Sequence, residues 1–218
     1  MKLSACIFDL DGVIVDTAKY HYMAWRRLAQ ELGFNFSAEQ NEQLKGVSRM
    51  QSLEILLKIG GVKLSKSEKE AAAQKKNAWY VDYISSLKPD EILPGIINFL
   101  SDLKDHDIKI ALGSASKNAG LILQRLKLKT YFDALIDGNK ISKAKPDPQI
   151  FLLAAKELNT EPKECIVFED AQTGIEAAKN GGMISIGVGD PEILEKADLV
   201  ISGFSNLSWE LLQEWLKK

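Results

Sequence analysis

Cysteine is scarce: the 218-residue chain has two, Cys6 and Cys165, each inside a short apolar run. Both read as small buried hydrophobes, which speaks against a disulfide framework and fits a reducing compartment. A basic excess is missing as well. Lys and Arg number 28 against 30 Asp and Glu, a formal charge of −2, and broad nucleic-acid binding needs a basic face. No apolar stretch approaches the roughly 18–20 residues of a transmembrane helix. The opening MKLSACIFDLDG reaches two aspartates too early for a secretory signal. These absences leave a cytoplasmic location as the expectation. There is no internal repeat and no low-complexity segment. What is present is ordinary for a globular chain, 45% hydrophobic and 27% charged residues. The length suits one α/β domain with a substantial insertion, or two small domains.

Short apolar runs recur along the chain. Ala5–Leu10 ends in acidic residues and Gly12, and reads as a buried strand. Lys109–Gly113, Ala134–Ile136, Cys165–Phe168 and Met183–Val188 look alike, and Leu199–Ile201 is a candidate sixth. Helical patterns separate them, at about Gly95–Leu103, Asn118–Leu128, Pro148–Leu158 and Gly174–Lys179. Strands alternating with helices predict a Rossmann-like α/β core, a parallel sheet covered on both faces. From Thr17 to Leu87 the rhythm breaks, and only helical patterns remain: Thr17–Leu32, Ser52–Ile59 and Ser67–Ser86. Thr17, His21, Trp25, Leu28 and Leu32 form one stripe of an amphipathic helix. The prediction is an all-helical cap domain over residues 17–87, inserted into a core of residues 1–16 and 88–218. Hinges fall near Val15–Thr17 and Lys88–Pro94, where Pro89 and Pro94 punctuate the chain. Residues 17–87 hold 11 basic and 7 acidic side chains, leaving 17 and 23 for the rest. A +4 insert beside a −6 core suits an anion-binding segment facing a metal site, although random surface charge explains such counts equally well.

Ligands of open parallel sheets bind beyond the carboxyl ends of the strands. Asp9, Asp11 and Gly12 follow the first predicted strand, and Ser114, Ala115, Ser116, Lys117 and Asn118 the second. Lys143 and Lys145 follow the third, and Glu169 and Asp170 the fourth. Phosphoryl transfer needs a nucleophile, a divalent cation and donors for the phosphoryl oxygens. Asp9 and Asp170 offer oxygen ligands to a hard cation such as Mg²⁺. Ser114 and Lys145 can hold phosphoryl oxygens, and Asp11 can exchange a proton with a substrate hydroxyl. Singly, each has a bland explanation: a turn aspartate, a helix cap, a solvated lysine, acidic residues favouring a helix N-terminus. Four in order, each beyond a strand, make coincidence a poor account.

DLDGV at Asp9–Val13, Ser114 after KIALG, Lys145 in KAKPDP and Glu169–Asp170 in VFEDAQTGIEAA resemble the four motifs of the haloacid dehalogenase superfamily. The likeness spans the chain, and the insert resembles that superfamily's helical cap. Asp11 marks the phosphatase and mutase branch. DTAKYHYMAW, NEQLKGVSR, Lys76–Asn77 and SASKN resemble its sugar-phosphate mutases. That resemblance implies interconversion of β-D-glucose 1-phosphate and β-D-glucose 6-phosphate, with one Mg²⁺ per subunit and β-D-glucose 1,6-bisphosphate as activator and intermediate. It implies that Asp9 is phosphorylated and binds the metal, that Asp11 is the acid–base and a metal ligand through its carbonyl, and that Asp170 is a ligand with Glu169 beside it. Ser114 and Lys145 would hold the transferring phosphoryl group. Arg49, Ala115, Ser116, Lys117 and Asn118 would surround the other phosphate. Lys45, Gly46, Val47, Ser52 and Lys76 would line the sugar site, with Trp25 among the substrate-binding residues, and Thr17 and His21 would link hinge and cap movement to the position of Asp11.

Elementary chemistry supports part of this. The Ser116–Asn118 run opens a predicted helix, whose free N–H groups suit an anion. Arg49 can grip a phosphate with two parallel hydrogen bonds, and Gly46 permits close backbone approach. His21 has a rival reading as a packed, hydrogen-bonded histidine on the stripe with Trp25, itself a natural core residue. Of the adjacent Lys75 and Lys76, one at most faces a ligand. A superfamily phosphatase acting on sugar phosphates or phosphoglycolate fits the four core motifs as well, and a non-catalytic phosphosugar-binding module is the reading from another class. The expected partners are small sugar phosphates, with no nucleic acid and no membrane, and the chain is expected to be a monomer.

Overall fold

The computed structural model describes residues 3–44 and 47–217. The chain forms two compact units, one of Met1–Asp16 with Lys88–Lys218 and one of Thr17–Leu87.

The first unit is built on six parallel strands: β1 (Ala5–Phe8), β2 (Lys109–Gly113), β3 (Ala134–Ile136), β4 (Cys165–Glu169), β5 (Ile184–Val188) and β6 (Leu199–Ile201). Their order in the sheet is β3-β2-β1-β4-β5-β6. Chain order reverses at β1, so the crevice between β1 and β4 is the switch point where such sheets bind ligands. β1, β2 and β4 are nearly continuous apolar runs because helices cover both faces. Phe8 stacks on Phe168 at 4.8 Å between ring centroids, and Phe99 and Phe204 complete an aromatic layer on that face. Ile7, Ala111 and Val167 point the other way, into a core with Ile150, Phe151, Ala154 and Ala178. That alternation follows from the period of two along a strand.

Helix α5 (Ile96–Asp105) precedes β2, and α6 (Ala119–Arg125), α7 (Gln149–Glu157) and α8 (Gln172–Asn180) follow β2, β3 and β4. The last helix, α9 (Trp209–Trp215), was not predicted. Ser208 caps it, accepting from the Leu211 N–H, and Asp102 of α5 accepts from the Trp209 N–H at 2.6 Å. β1 is shorter than the expected Ala5–Leu10. After Phe8 the chain turns, with the Ile14 and Val15 N–H groups both donating to the Leu10 carbonyl. Helix α8 begins two residues before the expected start.

The second unit contains α1 (Ala18–Glu31), α2 (Ala38–Asn41), α3 (Arg49–Gly60) and α4 (Lys66–Ile84). Three of these start in capping boxes, Ser37 with Gln40, Ser48 with Gln51 and Ser65 with Glu68, each pair exchanging side-chain and backbone bonds. The Ser48 box moves the start of α3 from the expected Ser52 to Arg49. Gly61 ends α3 at φ 63°, a left-handed cap that favours glycine. None of the described helices is long and apolar enough to cross a membrane.

Candidate active site

Strand register brings the first unit's candidates together. Phe8 pairs with Leu112 on one side and Phe168 on the other. The residues next along the chain therefore emerge side by side, and the Asp9 N–H donates to the Phe168 carbonyl at 2.9 Å. Asp9, Ser114 and Glu169 are all buried.

Lys145 is the centre of the arrangement. Its Nζ donates to Asp9 Oδ1 at 2.5 Å and to Glu169 Oε2 at 2.7 Å, with 5% of its side chain exposed. Phe151 lies beneath it, the ammonium 4.8 Å from the ring centre. The Lys145–Pro146 peptide is cis. Burial alone would lower the Lys145 pKa, but the carboxylates of Asp9 and Glu169 carry it above the ordinary value, so the side chain is a fixed cation. Burial raises Glu169, which Lys145 partly offsets while Asp9 and Asp170 add to the rise. Two buried carboxylates against one ammonium, with Asp170 beside them, leave excess negative charge in a small volume.

That excess is what a divalent cation neutralises. Asp9, Glu169 and Asp170 each offer an oxygen, all within 4.8 Å of one another. Carboxylate oxygens at such spacing suit a hard ion such as Mg²⁺. Glu169 is already engaged on both oxygens, by Lys145 and by the Ala171 N–H at 3.3 Å. Asp9 Oδ2 accepts from the Asp11 N–H at 3.0 Å, which ties the two aspartates into one turn.

Two glycines to which the sequence assigned no role in the site, Gly12 and Gly174, shape this cluster. A Cβ on Gly12 would stand 2.1 Å from Asp170 Oδ2, and its φ of +75° is strained for any side chain. A Cβ on Gly174 would stand 2.0 Å from the Glu169 carboxyl carbon. A glycine inside the first turn of a helix is costly by propensity, and that misfit was the available signal.

The SASKN run follows β2. The Ser116 N–H donates to Ser114 Oγ at 3.2 Å and the Asn118 N–H to Ser116 Oγ at 3.3 Å. The Ser116 and Asn118 N–H groups are therefore turned onto neighbouring hydroxyls in this structure. Ala115 and Lys117 are exposed, while Ser116 and Asn118 are half-buried. Gly138 packs against this turn, where a Cβ would meet the Ala115 carbonyl oxygen at 2.2 Å.

The helical unit brings together another group of predicted residues. Lys76 is 2% exposed, so of the two adjacent lysines it is the one turned inward. Its Nζ lies 2.7 Å from His21 Nδ1 and above the rings of Trp25 and Tyr80, at 4.4 and 4.9 Å. Its neighbour Lys75 is exposed and pairs with Glu31 at 2.5 Å. His21 stacks on Tyr80 at 3.9 Å, and the Thr17 and Tyr80 hydroxyls are 3.1 Å apart. Burial first, then Lys76 and Arg49, hold the His21 pKa well below its ordinary value. An ammonium can only donate, so Nδ1 of the neutral ring is the acceptor. Burial also lowers Arg49. Trp25 is core, 2% exposed, Ser52 is buried on α3 and Val47 is half-buried in the turn before it. Lys45 and Gly46 lie outside the described residues.

A parallel sheet in this order, with an aspartate-lysine-carboxylate centre at its switch point, defines the class as a Rossmann-like α/β phosphoryl-transfer fold. The sequence model described as haloacid dehalogenase-like hydrolase matches residues 3–182. The chain is 46% identical to the β-phosphoglucomutase of Bacillus subtilis (strain 168) over 216 residues, 98% of this chain and 96% of that one. It is 34% identical to a phosphorylated carbohydrates phosphatase of Thermotoga maritima, covering 83% of this chain and 82% of the relative. The crystal structure of β-phosphoglucomutase from Clostridium difficile superposes with a TM-score of 0.93 at 46% identity, covering 99% of this chain and 100% of that one. The chain belongs to the haloacid dehalogenase-like hydrolase family and is a homologue of β-phosphoglucomutases.

Proposed function

We propose that this protein catalyses the β-phosphoglucomutase reaction, interconverting β-D-glucose 1-phosphate and β-D-glucose 6-phosphate through β-D-glucose 1,6-bisphosphate. The observation that carries it is the Lys145 ammonium held between Asp9 and Glu169, with Asp11 tied to the same turn. Likeness to a β-phosphoglucomutase over nearly the whole chain favours the mutase over the phosphatase.

An Asp9 carboxylate oxygen attacks phosphorus, and the bond from phosphorus to the departing sugar oxygen breaks. Asp11 gives that oxygen its proton. In the other half-reaction the C6 hydroxyl of β-D-glucose 1-phosphate attacks the aspartyl phosphate while Asp11 takes its proton, which frees Asp9 and forms the bisphosphate, whose C1 phosphoryl group is the one the first step removes to leave β-D-glucose 6-phosphate. Ser114 and Lys145 hold the transferring oxygens, and the Lys145 cation offsets charge as it spreads over them. Mg²⁺, held by Asp9, Asp170 and the Asp11 carbonyl, would supply further charge neutralisation at the phosphoryl group. Glu169 orients Lys145 rather than binding the metal directly.

A mutase also needs a hold on the second phosphate and on the sugar. Arg49, Ser116, Lys117 and Asn118 serve the former, Arg49 through its two-pronged guanidinium. Lys45, Gly46, Val47, Ser52 and Lys76 serve the latter, and Thr17, His21 and Trp25 fix Lys76 in place. The enzyme acts as a monomer in the cytoplasm.

Mg²⁺, β-glucose 1-phosphate and a trace of the bisphosphate are supplied, and glucose 6-phosphate and free phosphate are followed separately. Glucose 6-phosphate should account for the substrate consumed. Stoichiometric phosphate release with little glucose 6-phosphate would make the protein a phosphatase instead.

A further inference from the structure

Lys145 lies in a connection without regular structure, between β3 and α7, yet its ammonium meets two carboxylates at hydrogen-bonding distance. Something must fix that connection. Gln149, the first residue of α7, makes the relevant contacts. Its Oε1 accepts from the Ser142 N–H and the Lys143 N–H, both at 2.8 Å, and its Nε2 donates to Ser142 Oγ at 3.1 Å. Its own N–H donates to Asp147 Oδ1 at 3.0 Å, beyond Lys145 on the other side. One side chain thus folds the loop back onto the start of the helix, with Lys145 inside the bracket. Two residues on, the ring of Phe151 on the same helix lies under the Lys145 ammonium, 4.8 Å from Nζ to the ring centre. At the far end, Asn180 Nδ2 donates to the Pro146 carbonyl at 3.1 Å.

We infer that Gln149 is a positioning residue for phosphoryl transfer, acting through the Ser142–Lys143 backbone to set where the Lys145 ammonium stands. This rests on the role given above to Lys145. The Gln149 carboxamide touches none of the reacting groups in the described contacts. The contact that reaches the backbone before Lys145 is its acceptor oxygen, shared by two N–H donors. Losing that oxygen leaves both N–H groups to solvent and lets the loop drift, and a displacement of ~1 Å at a reacting centre costs on the order of 10²-fold in rate.

The test compares Gln149→Met, Gln149→Glu and Lys145→Met in the full-length protein with Mg²⁺. Turnover is read as consumption of β-glucose 1-phosphate, so that mutase and phosphatase routes count alike. Gln149→Met keeps the length and removes the acceptor, and kcat should fall about 10- to 100-fold with KM little changed. Gln149→Glu keeps an oxygen for both N–H groups and should retain most of the wild-type kcat. Wild-type kcat in Gln149→Met with an inactive Lys145→Met overturns the inference and leaves the function standing. Equal losses in Gln149→Met and Gln149→Glu overturn it too, because the shared acceptor would then not be the cause. Full turnover in Lys145→Met would instead remove the functional reading on which the inference rests.

Discussion

Gly174→Ala puts helix propensity and site geometry in direct opposition. Gly174 lies in the first turn of α8, where alanine should stabilise the helix by about 0.5–1 kcal/mol if nothing else changed. The added methyl would however stand 2.0 Å from the Glu169 carboxyl carbon and 2.2 Å from Oε2. To reach an ordinary ~3.5 Å separation the carboxylate must retreat by roughly 1.5 Å. The 2.7 Å bond from Lys145 cannot survive that shift. Opening a buried ion pair costs about 3–5 kcal/mol, several times the helix gain. A misplaced Lys145 should also slow turnover on the order of 10²-fold, roughly 2.7 kcal/mol of barrier. Thermal melting and steady-state turnover on the same preparation measure both. A raised Tm with wild-type turnover would refute the view that Gly174 makes room for Glu169.

Gly12→Ala should weaken Mg²⁺ binding, measured by titration calorimetry, because its methyl would strike Asp170 Oδ2 at 2.1 Å and the residue sits at φ +75°. The backbone strain alone is worth roughly 1–2 kcal/mol. Lys76→Met should raise the His21 pKa, followed by NMR of the ring, since Lys76 is one of the groups that depress it; burial is the larger cause, so the value should stay below 6.5. His106 is held above its ordinary 6.5 by the Asp102 backbone carbonyl first, then by Glu210 and Asp102. A raised folded-state pKa means its contribution is fully present below the unfolded value of 6.5 and is lost as pH rises through the folded value. Denaturation profiles of wild type and His106→Gln should therefore differ at low pH and converge at high pH.

Much of the core was legible because fully buried parallel strands leave continuous apolar runs, and β2, β3 and β6 stand where those runs predicted. The motif residues were legible because each follows a strand end. Less visible were elements set by local hydrogen bonding. The Ser48–Gln51 box that starts α3 carries no apolar period, and α9 spans seven residues, too short for periodicity to declare itself. The burial of Lys76 was hidden because a lysine reads as solvated until its aromatic neighbours are known. Gln149 carried no signal at all, since its work is done on backbone groups.

The central claim is that Asp9 carries the phosphoryl group. Enzyme quenched during turnover can be treated with borohydride, which reduces an aspartyl phosphate to a primary alcohol, and then mapped by peptide mass spectrometry. The alcohol should appear at position 9 and vanish in Asp9→Asn. Finding it at another aspartate, or finding none while turnover proceeds, would contradict the covalent mechanism.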